Sequence, residues 1–369
     1  MQAPDVLVLR PDVTADPTSA TAREREQLEA ARGGDHDAFR RLVEPYRGEL
    51  HAHCYRMLGS VHDADDALQD ALLRAWRGLA KFEGRSSIRA WLYRITTNAC
   101  LDLISRRPKR VLPIDHGPAA NPGDDLGEPL VESVWVEPYP DEMLGPDDGS
   151  ASPEARYELR ESVELAFIAA LQHLPATQRA ALIVRDVLGF SAREAAEALE
   201  TTVASVNGAL RRARKAAAER LPDQSQQVAV RALGDDDLRE LVERYVDAWE
   251  RGDVDAILAM LAEDATFTMP PLPTWYRGHD AIGLFLTRHA LRDRWRLVPA
   301  RANGQLAFGC YAWDADTGSY TALSLDVLTL EGARATEVTS FVTPYTRGPA
   351  REHFAADVFE RFGLPDRLD

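Results

Sequence analysis

The sequence predicts a multidomain protein in which two all-α domains are followed by one α+β domain. Its 369 residues exceed the length of one typical domain. Apolar residues recur at helical spacing from 23 to 107 and again from 154 to 222. After residue 235, two helical patterns precede strand-like alternation, which indicates a separate α+β domain.

Turn signals and composition place the boundaries between these parts. We predict about four helices before Pro108, with breaks at GGDHD, GSVHD and FEGRSS, and with Asp63 capping the third helix. Trp135 and Tyr139 stand in a Pro/Gly/Asp-rich linker, which indicates that the linker docks on another part of the protein. The predicted parts are a disordered N-terminus at 1–22, a helical bundle at 23–107, an acidic linker at 108–153, a helix-turn-helix at 154–222, an α+β domain at 235–350 and a C-terminal tail at 351–369.

The α+β domain is predicted to begin with helices at 236–251 and 254–262. Four β-rich segments follow them. In one, Ala322, Ser324 and Asp326 alternate with Leu323, Leu325 and Val327, and this alternation predicts a half-buried strand.

The charge of the chain is segregated along the sequence. The formal net charge is −16, but residues 113–153 alone hold ten acidic residues and no Lys or Arg. Residues 74–107 hold eight basic residues against two acids, and residues 205–220 hold five against one. Both predicted helical domains therefore keep basic surfaces that suit nucleic acid.

Several classes of protein are excluded by what the sequence lacks. It contains no run of about 18 apolar residues, so no membrane partner is expected. Its first residues lack the pattern of a secretory signal. Three scattered cysteines without CxxC spacing favour a reducing, cytoplasmic location, and we expect neither a metal nor another cofactor.

Residues 190–217 carry the pattern of a DNA-binding helix-turn-helix. Ser191 and Glu194 form a capping box, ETT at 200–202 predicts a tight turn, and a second helix starts near Val203. The residues predicted to meet base edges are Thr202, Ser205 and Asn207, and those predicted to meet phosphates are Arg211, Arg212, Arg214 and Lys215. The alternative is an alanine-rich amphipathic hairpin with a solvated basic end.

Two long segments resemble the conserved regions of sigma-70-type factors of the extracytoplasmic-function class (group 4). LQHLPATQRAALIVRDVLGFSAREAAEALETTVASVNGALRRAR at 171–214 resembles region 4, and DADDALQDALLRAWRGLAKFEGRSSIRAWLYRITTNACLDLISRR at 63–107 resembles region 2. The resemblance implies a non-enzymatic factor that binds promoter DNA and core RNA polymerase, through the β′ clamp helices and the β flap. Region 2 would meet the −10 element and region 4 the −35 element.

Within region 2, the resemblance assigns three residues to the polymerase: Asp66, Gln69 and Asp70, which share one side of a helix. Acidic residues near a helix N-terminus are also common for dipole reasons alone.

The loop FEGRSSIRAW and the helix after it would meet the −10 strand. By the resemblance, Arg85, Ser86 and Ser87 hold a flipped base, and Asn98, Asp102 and Arg106, spaced four apart, read or position the strand. Basic residues that would supply phosphate contacts are Arg74, Arg77, Lys81 and Arg89. Trp91 and Tyr93 would stack on bases or belong to the core, and we favour the core for Trp91.

One departure from the family pattern lies early in the recognition helix. Many members carry Lys or Arg where this chain has Asn207, Gly208 and Ala209. Glycine inside a helix costs about 1 kcal/mol relative to alanine. Either the backbone approaches DNA closely here, or the −35 sequence differs from that of relatives.

The C-terminal domain resembles the SnoaL-like branch of the NTF2-type α+β cone, through LVERYVDAWERGDVDAILAMLAEDATFTMPP and WYRGHDAIGLFL. This resemblance implies that the domain modulates sigma activity, and its pocket leaves room for a small-molecule or protein ligand. The alternative function is a cyclase- or isomerase-type enzyme fused to a DNA-binding module. Candidate acid/base residues are Asp264, His279 and His289, and candidate pocket aromatics are Trp275, Tyr276, Trp295, Tyr311 and Trp313. The simpler interpretation makes the aromatics core and His279 a helix cap, and region 2 favours the sigma factor, because a tether needs only a helix-turn-helix.

Overall fold

The computed structural model describes residues 22–84, 86–130, 134–144, 153–343 and 358–369. The chain divides into two compact units. The first contains Met1–Arg110 and Met143–Asp223, and the second contains Val111–Glu142 and Gln224–Asp369. The N-terminus predicted to be disordered lies outside the described residues, apart from Ala22.

The first part of the first unit has five α-helices where we predicted about four. They are α1 (Ala22–Arg32), α2 (His36–Val43), α3 (Arg47–Leu58), α4 (Val61–Gly78) and α5 (Ile88–Ile104). The predicted breaks are confirmed, and the missed one falls at the 3-10 turn Glu44–Tyr46. Pro45 sits at the start of this turn, where it lacks an N–H for the α-helical ladder and separates α2 from α3.

The prediction that Asp63 caps α4 is wrong. Ser60 is the N-cap, and its Oγ accepts a hydrogen bond from the Asp63 backbone N at 3.0 Å. Asp63 lies in the first turn of the helix, where it is buried and ion-paired with Arg107 and Arg110. Its carboxylate therefore joins the start of α4 to the chain just after α5.

The second part of the first unit contains five further helical segments. They are α7 (Pro153–Glu161), α8 (Leu165–Gln172), α9 (Ala176–Leu182) with a π-helical turn at Ile183–Val187, α10 (Ala192–Ala198) and α11 (Val203–Ala218). The helix α6 (Pro113–His116) precedes them in the chain and belongs to the second unit.

Buried polar contacts hold these two parts of the first unit together. Arg56, in α3, donates from Nη2 to Ser162 Oγ at 2.7 Å. Arg179, in α9, donates to the backbone oxygen of Met57. Burial lowers the pKa of Arg179 to about 10.

The second unit is built on a mixed seven-stranded sheet. Besides α6, its α-helices are α12 (Gln226–Leu233), α13 (Asp235–Arg251), α14 (Val254–Ala259) and α15 (His279–Arg288). Its strands are β1 (Leu261–Thr268), β2 (Trp275–Arg277), β3 (Trp295–Ala302), β4 (Gln305–Asp314), β5 (Ser319–Glu331), β6 (Arg334–Val342) and β7 (Arg367–Leu368). The strand order is β2-β1-β6-β5-β4-β3, β7 pairs with β5, and only the β1–β6 pair among the described strands is parallel. We did not predict α12, and the predicted second helix ends at Ala259, earlier than expected.

Segments that come before and after the predicted α+β domain in the sequence belong to the second unit. Tyr139, in the segment predicted as a linker, donates its backbone N–H to Asn303 Oδ1 at 2.8 Å and accepts from Asn303 N at 2.8 Å. Near the C-terminus, Phe359 packs edge-on against Tyr311 with ring centroids 5.3 Å apart. Part of the predicted acidic linker and residues near the C-terminus therefore belong to the fold of the second unit.

Within the described residues, no helix is long and apolar enough to cross a membrane.

Candidate DNA and polymerase interface

The helix-turn-helix has the local geometry that the sequence predicts. Ser191 Oγ accepts from Glu194 N at 3.2 Å, and Ser191 N donates to Glu194 Oε2 at 2.8 Å, which confirms the capping box. Glu200 adopts a left-handed φ of 49° in the turn. Thr202 then caps α11, because its Oγ1 accepts from Ser205 N at 3.1 Å.

One face of α11 is buried and the opposite face is exposed. Val206, Leu210 and Ala213 point inward, as helical spacing requires. The residues predicted to contact DNA are all exposed: Thr202, Ser205, Asn207, Arg211, Arg212, Arg214 and Lys215. Their contact with DNA stays a prediction.

Arg214 differs from the other basic residues of α11. Its Nη2 lies 2.6 Å from Asp186 Oδ1, and its Nε donates to Asp186 Oδ2 at 2.8 Å. The Asp186 hydrogen bond raises the pKa of Arg214. Since Asp186 is buried in the π-helical turn, this pair anchors α11 to the turn that follows α9.

Gly208 has no packing reason to be a glycine. A Cβ built there meets the Arg212 Nη1 atom at 3.5 Å, an ordinary van der Waals distance, and the residue lies inside α11. Packing inside this unit therefore does not require a glycine at position 208.

We expect Gly208→Ala to raise the free energy of unfolding by up to about 1 kcal/mol, because alanine removes the helix penalty of glycine. Urea unfolding of the two proteins measures this difference. Ala204→Gly, at an exposed position of the same helix, serves as the reverse control and should destabilise. A loss of stability in Gly208→Ala would contradict the fit described here.

The loop before α5 contains a cap. Ser87 Oγ accepts from Ala90 N at 3.1 Å, so this hydroxyl holds the helix start. Ser86 beside it is half-buried. Arg85 lies outside the described residues.

The three residues predicted to read the −10 strand do not share one helix. Asn98 and Asp102 lie one turn apart on α5, but the helix ends at Ile104, and Arg106 follows in a turn in which its N bonds Leu103 O. The spacing rule fails here because Ser105 caps the helix first. Asn98 is half-buried, while Asp102 and Arg106 are exposed.

Two of these residues already have partners inside the first unit. Asn98 Nδ2 lies 3.4 Å from Glu200 Oε1, in the turn of the helix-turn-helix. Asp102 Oδ2 accepts from Arg74 Nη1 at 2.7 Å, and Arg74 also pairs with Asp70 at 2.7 Å.

Trp91 and Tyr93 both belong to the core, as favoured for Trp91. Trp91 packs against Phe82 with centroids 4.9 Å apart, and Tyr93 donates its hydroxyl to Glu49 Oε2 at 3.0 Å. Arg89 holds the same carboxylate, with Nη2 2.8 Å from Glu49 Oε2. The guanidinium predicted as a phosphate contact is thus part of a structural cluster.

The predicted polymerase-binding residues Asp66, Gln69 and Asp70 are exposed on α4. The sequence reasoning missed Leu73, which is 49% exposed and lies one turn beyond Gln69 and Asp70. The signal in the sequence was a leucine four residues after Gln69 and three after Asp70, on the same side of the predicted helix. We call these four residues the α4 face.

The second unit contains a cavity of about 380 Å³ that is partly open to solvent. Of the predicted acid/base residues, only His289 lines it; Asp264 is exposed on β1, and His279 Nε2 lies 3.3 Å from Leu261 O. Of the predicted aromatics, only Trp295 lines it. The remaining four are Trp275, Tyr276, Tyr311 and Trp313, and the first three are buried.

The sequence reasoning also missed the buried acid of this cavity, Asp326. Ser324 and Ser340 donate to its Oδ1 at 3.0 and 2.5 Å. Burial raises the pKa of Asp326 to about 6, although the hydrogen bonds from Ser340 and Ser324 act in the opposite direction. The alternation predicted a half-buried strand, but Ser324 and Asp326, on its more polar side, are buried and line the cavity.

Comparison with known proteins gives the same order of domains. The family model of Sigma-70 region 2 matches residues 42–110, Sigma-70 region 4 matches 164–216, and the SnoaL-like domain matches 242–338. The ECF RNA polymerase sigma factor SigG of Mycobacterium tuberculosis is 36% identical over 380 aligned residues, which cover 98% of this chain and 96% of SigG. SigW of Bacillus subtilis, also an ECF sigma factor, is 29% identical over 199 residues, covering 54% of this chain and 97% of SigW.

A solved structure shares the fold. The extracytoplasmic function sigma factor SigJ of Mycobacterium tuberculosis aligns with a TM-score of 0.53 at 22% identity, covering 88% of this chain and 99% of SigJ. Two sigma-type helical regions before a cone domain define a class of transcription initiation factor. The chain belongs to the extracytoplasmic-function RNA polymerase sigma factors of the sigma-70 family, and it carries a SnoaL-like domain after region 4.

Proposed function

We propose that this sigma factor directs core RNA polymerase to promoters by using separate faces of its first unit. The α4 face binds the β′ clamp helices, α5 and the loop before it meet the −10 element, and α11 meets the −35 element while region 4 contacts the β flap. The observation that carries the proposal is the exposure of both the α4 face and the basic face of α11. Because polymerase and promoters are its partners, the proposed location is the cytoplasm.

The α4 face has the composition of a protein-binding surface. It combines carboxylates and an amide with an exposed apolar side chain, Leu73. A leucine that is half exposed in the free protein gains burial when a partner covers it, and the surrounding polar groups supply orientation.

The α11 face combines base-reading and phosphate-binding groups. Ser205 and Asn207 lie in the first turns of the helix, which is the part of a recognition helix that meets base edges. Arg211, Arg212 and Lys215 lie further along it and are exposed, so they would hold phosphates. In this proposal Arg214 positions the helix through Asp186.

We expect the triple variant Arg211→Ala, Arg212→Ala, Lys215→Ala to weaken −35 binding for all promoter sequences alike. A plot of log K against the logarithm of the salt concentration should become shallower by about 1 for each phosphate that the variant no longer neutralises. Fluorescence anisotropy with a labelled −35 duplex at several salt concentrations measures it. The matched control is Arg193→Ala on α10, which is exposed and pairs with Glu197. An unchanged salt slope in the triple variant would exclude the phosphate role.

Contact with the −10 strand needs an exchange of partners. Asn98 would give up its long hydrogen bond to Glu200, and Asp102 or Arg74 would part from the exposed pair between them. Such partly exposed interactions contribute about 1 kcal/mol or less, so a DNA strand is able to replace them.

Promoter-dependent transcription tests the proposal as a whole. The purified full chain is added to core polymerase with a library of genomic fragments, and the RNA starts are sequenced. We expect starts at fragments that share a −10 and a −35 sequence. If no fragment gives a transcript that depends on the added chain, the proposed function is wrong.

We further propose that the SnoaL-like domain modulates this activity through the segment that connects regions 2 and 4 and carries no enzymatic activity. The support is the docking of Tyr139 on Asn303, at the tight turn between β3 and β4. Of the three candidate acid/base residues, Asp264 and His279 do not line the cavity, and only His289 does. Because this segment joins regions 2 and 4, a domain that holds the segment can act on both regions.

We expect Asn303→Gly to loosen residues 134–144 and to change promoter output. Asn303 has a left-handed φ of 57°, which glycine tolerates, so the substitution removes the acceptor for the buried Tyr139 N–H without straining the turn. Hydrogen exchange of this segment and transcription from one promoter are measured together. Asn303→Asp, which keeps the acceptor, is the control. Faster exchange with unchanged output would contradict modulation through the segment.

A further inference from the structure

The cavity of the second unit is partly open to solvent and has the size of a small-molecule site. At about 380 Å³ it falls within the range of roughly 300–1,000 Å³ that ligand pockets occupy. Side chains from the sheet form one wall, and α13 and α15 contribute Trp249 and Phe285. Leu126, from the acidic segment before region 4, completes the wall.

Aromatic rings form much of the wall of this cavity. Trp249 and Trp295 meet edge to face with centroids 5.6 Å apart, and Phe267 and Phe285 lie 5.3 Å apart. Rings of this kind offer negatively polarised faces, which attract cations, with tryptophan the strongest of them.

The charged residues of the wall are carboxylates. Asp326 and Asp293 line the cavity, and no Lys or Arg stands among the described residues that line it. Asp326 is 2% exposed, and its described hydrogen-bond donors, Ser324, Ser340 and the Cys310 thiol, are neutral. A carboxylate buried in this way lacks the counter-charge that offsets its desolvation.

Two further titratable side chains lie near Asp326, and neither of them can balance its negative charge. Cys310, on the neighbouring strand β4, and Tyr245, on α13, both have a pKa raised chiefly by burial, so they stay protonated and uncharged at neutral pH. His289 and Asp293 complete the titratable groups among the described lining residues.

We propose that this cavity binds an organic cation, namely a protonated or quaternary amine attached to an apolar ring. The ring packs between the tryptophan and phenylalanine side chains, and the ammonium group pairs with the Asp326 carboxylate. A neutral ligand of the same shape would fill the apolar walls and leave the buried carboxylate without a counter-charge. The site goes beyond the promoter function, and Leu126 would bring a bound ligand into contact with the connecting segment.

The experiment compares two isosteric probes on the full chain: 2-naphthylmethylamine, which is cationic, and 2-naphthalenemethanol, which is neutral. Quenching of tryptophan fluorescence reports binding, since Trp249 and Trp295 line the cavity, and calorimetry provides the affinities. At pH 7.5 we expect the amine to bind at least about tenfold more tightly than the alcohol, and Asp326→Asn to remove that preference. Asp264→Asn, an exposed carboxylate of the same domain, is the control and should leave it unchanged.

The pH dependence supplies a second readout. The pKa of Asp326 is raised to about 6, so the carboxylate is ionised at pH 7.5 and becomes protonated as the pH falls through 6. Alkylamines stay protonated over this range. Amine affinity should therefore fall between pH 7 and pH 5 in the wild type and in a His289→Gln variant, and should stay flat in Asp326→Asn.

Three results would overturn the cation site. They are no saturable binding of the amine, equal affinity for amine and alcohol, or an unchanged preference in a folded Asp326→Asn protein. Circular dichroism and the Tm of each variant establish folding, and Asp326→Leu provides a second variant if the amide destabilises the strand. Because binding is measured on the chain alone, failure here leaves the promoter function untouched, and the converse also holds.

Discussion

Leu73→Glu is expected to weaken binding of the chain to core RNA polymerase by about thirtyfold or more. Leu73 is 49% exposed on α4, beside Asp70 and Gln69. If the β′ clamp helices cover it, the substitution buries a carboxylate in an apolar contact, and loss of a residue that dominates an interface costs at least about 2 kcal/mol. Fluorescence anisotropy with labelled full chain and purified core polymerase measures the affinity, and run-off transcription should fall in parallel.

The chain offers a matched control for this substitution. Val228, on α12, is 47% exposed, so Val228→Glu adds the same charge at a similarly exposed apolar position in the second unit. Substitutions at exposed positions usually change stability by no more than about 0.5 kcal/mol, so both variants should fold. Equal polymerase affinity of the two variants would show that the α4 face is not the polymerase contact.

Contacts within four residues along the chain were predictable from the sequence. The capping box of Ser191 and Glu194 and the start of α11 at Val203 depend on side chains that meet their own helix turn. The order of the domains was predictable for the same reason, because helical and strand periodicities are local signals. Helical spacing also predicted the exposed positions of Asp66, Gln69 and Asp70 on α4 and the basic face of α11, but not the exposed Leu73.

Contacts between residues that are far apart in the sequence could not be predicted from the sequence. Asp63 meets Arg110 across 47 residues, and Tyr139 meets Asn303 across 164. Because of the first contact, Asp63 belongs to a buried ion pair and is not the predicted helix cap. Because of the second, a segment with the composition of a linker is part of a folded unit. Asp326 was missed because the alternation of β5 does not tell whether its polar side faces water or a cavity.

The ion pair of Asp63 links the fold of region 2 to its proposed function. Asp63 and Arg110 are 3% and 6% exposed, and Arg110 Nη2 lies 2.5 Å from Asp63 Oδ2. The pair fixes the first turn of α4 against the chain after α5. The α4 face begins only three residues further on, at Asp66, so its orientation depends on this contact.

We expect Asp63→Asn to destabilise region 2 by about 3–5 kcal/mol. The amide keeps the volume of the side chain but removes the buried negative charge that faces the Arg107 and Arg110 guanidinium groups, and breaking one side of a buried pair has a cost of this size. Hydrogen exchange of α4 and α5 peptides across a urea series measures the local free energy of unfolding. Asp66→Asn is the matched control: its carboxylate lies 3.4 Å from Arg107 but is 65% exposed, so screening by solvent limits its effect to about 0–1 kcal/mol. If the two variants lost the same protection, the buried pair would not be what holds the start of α4.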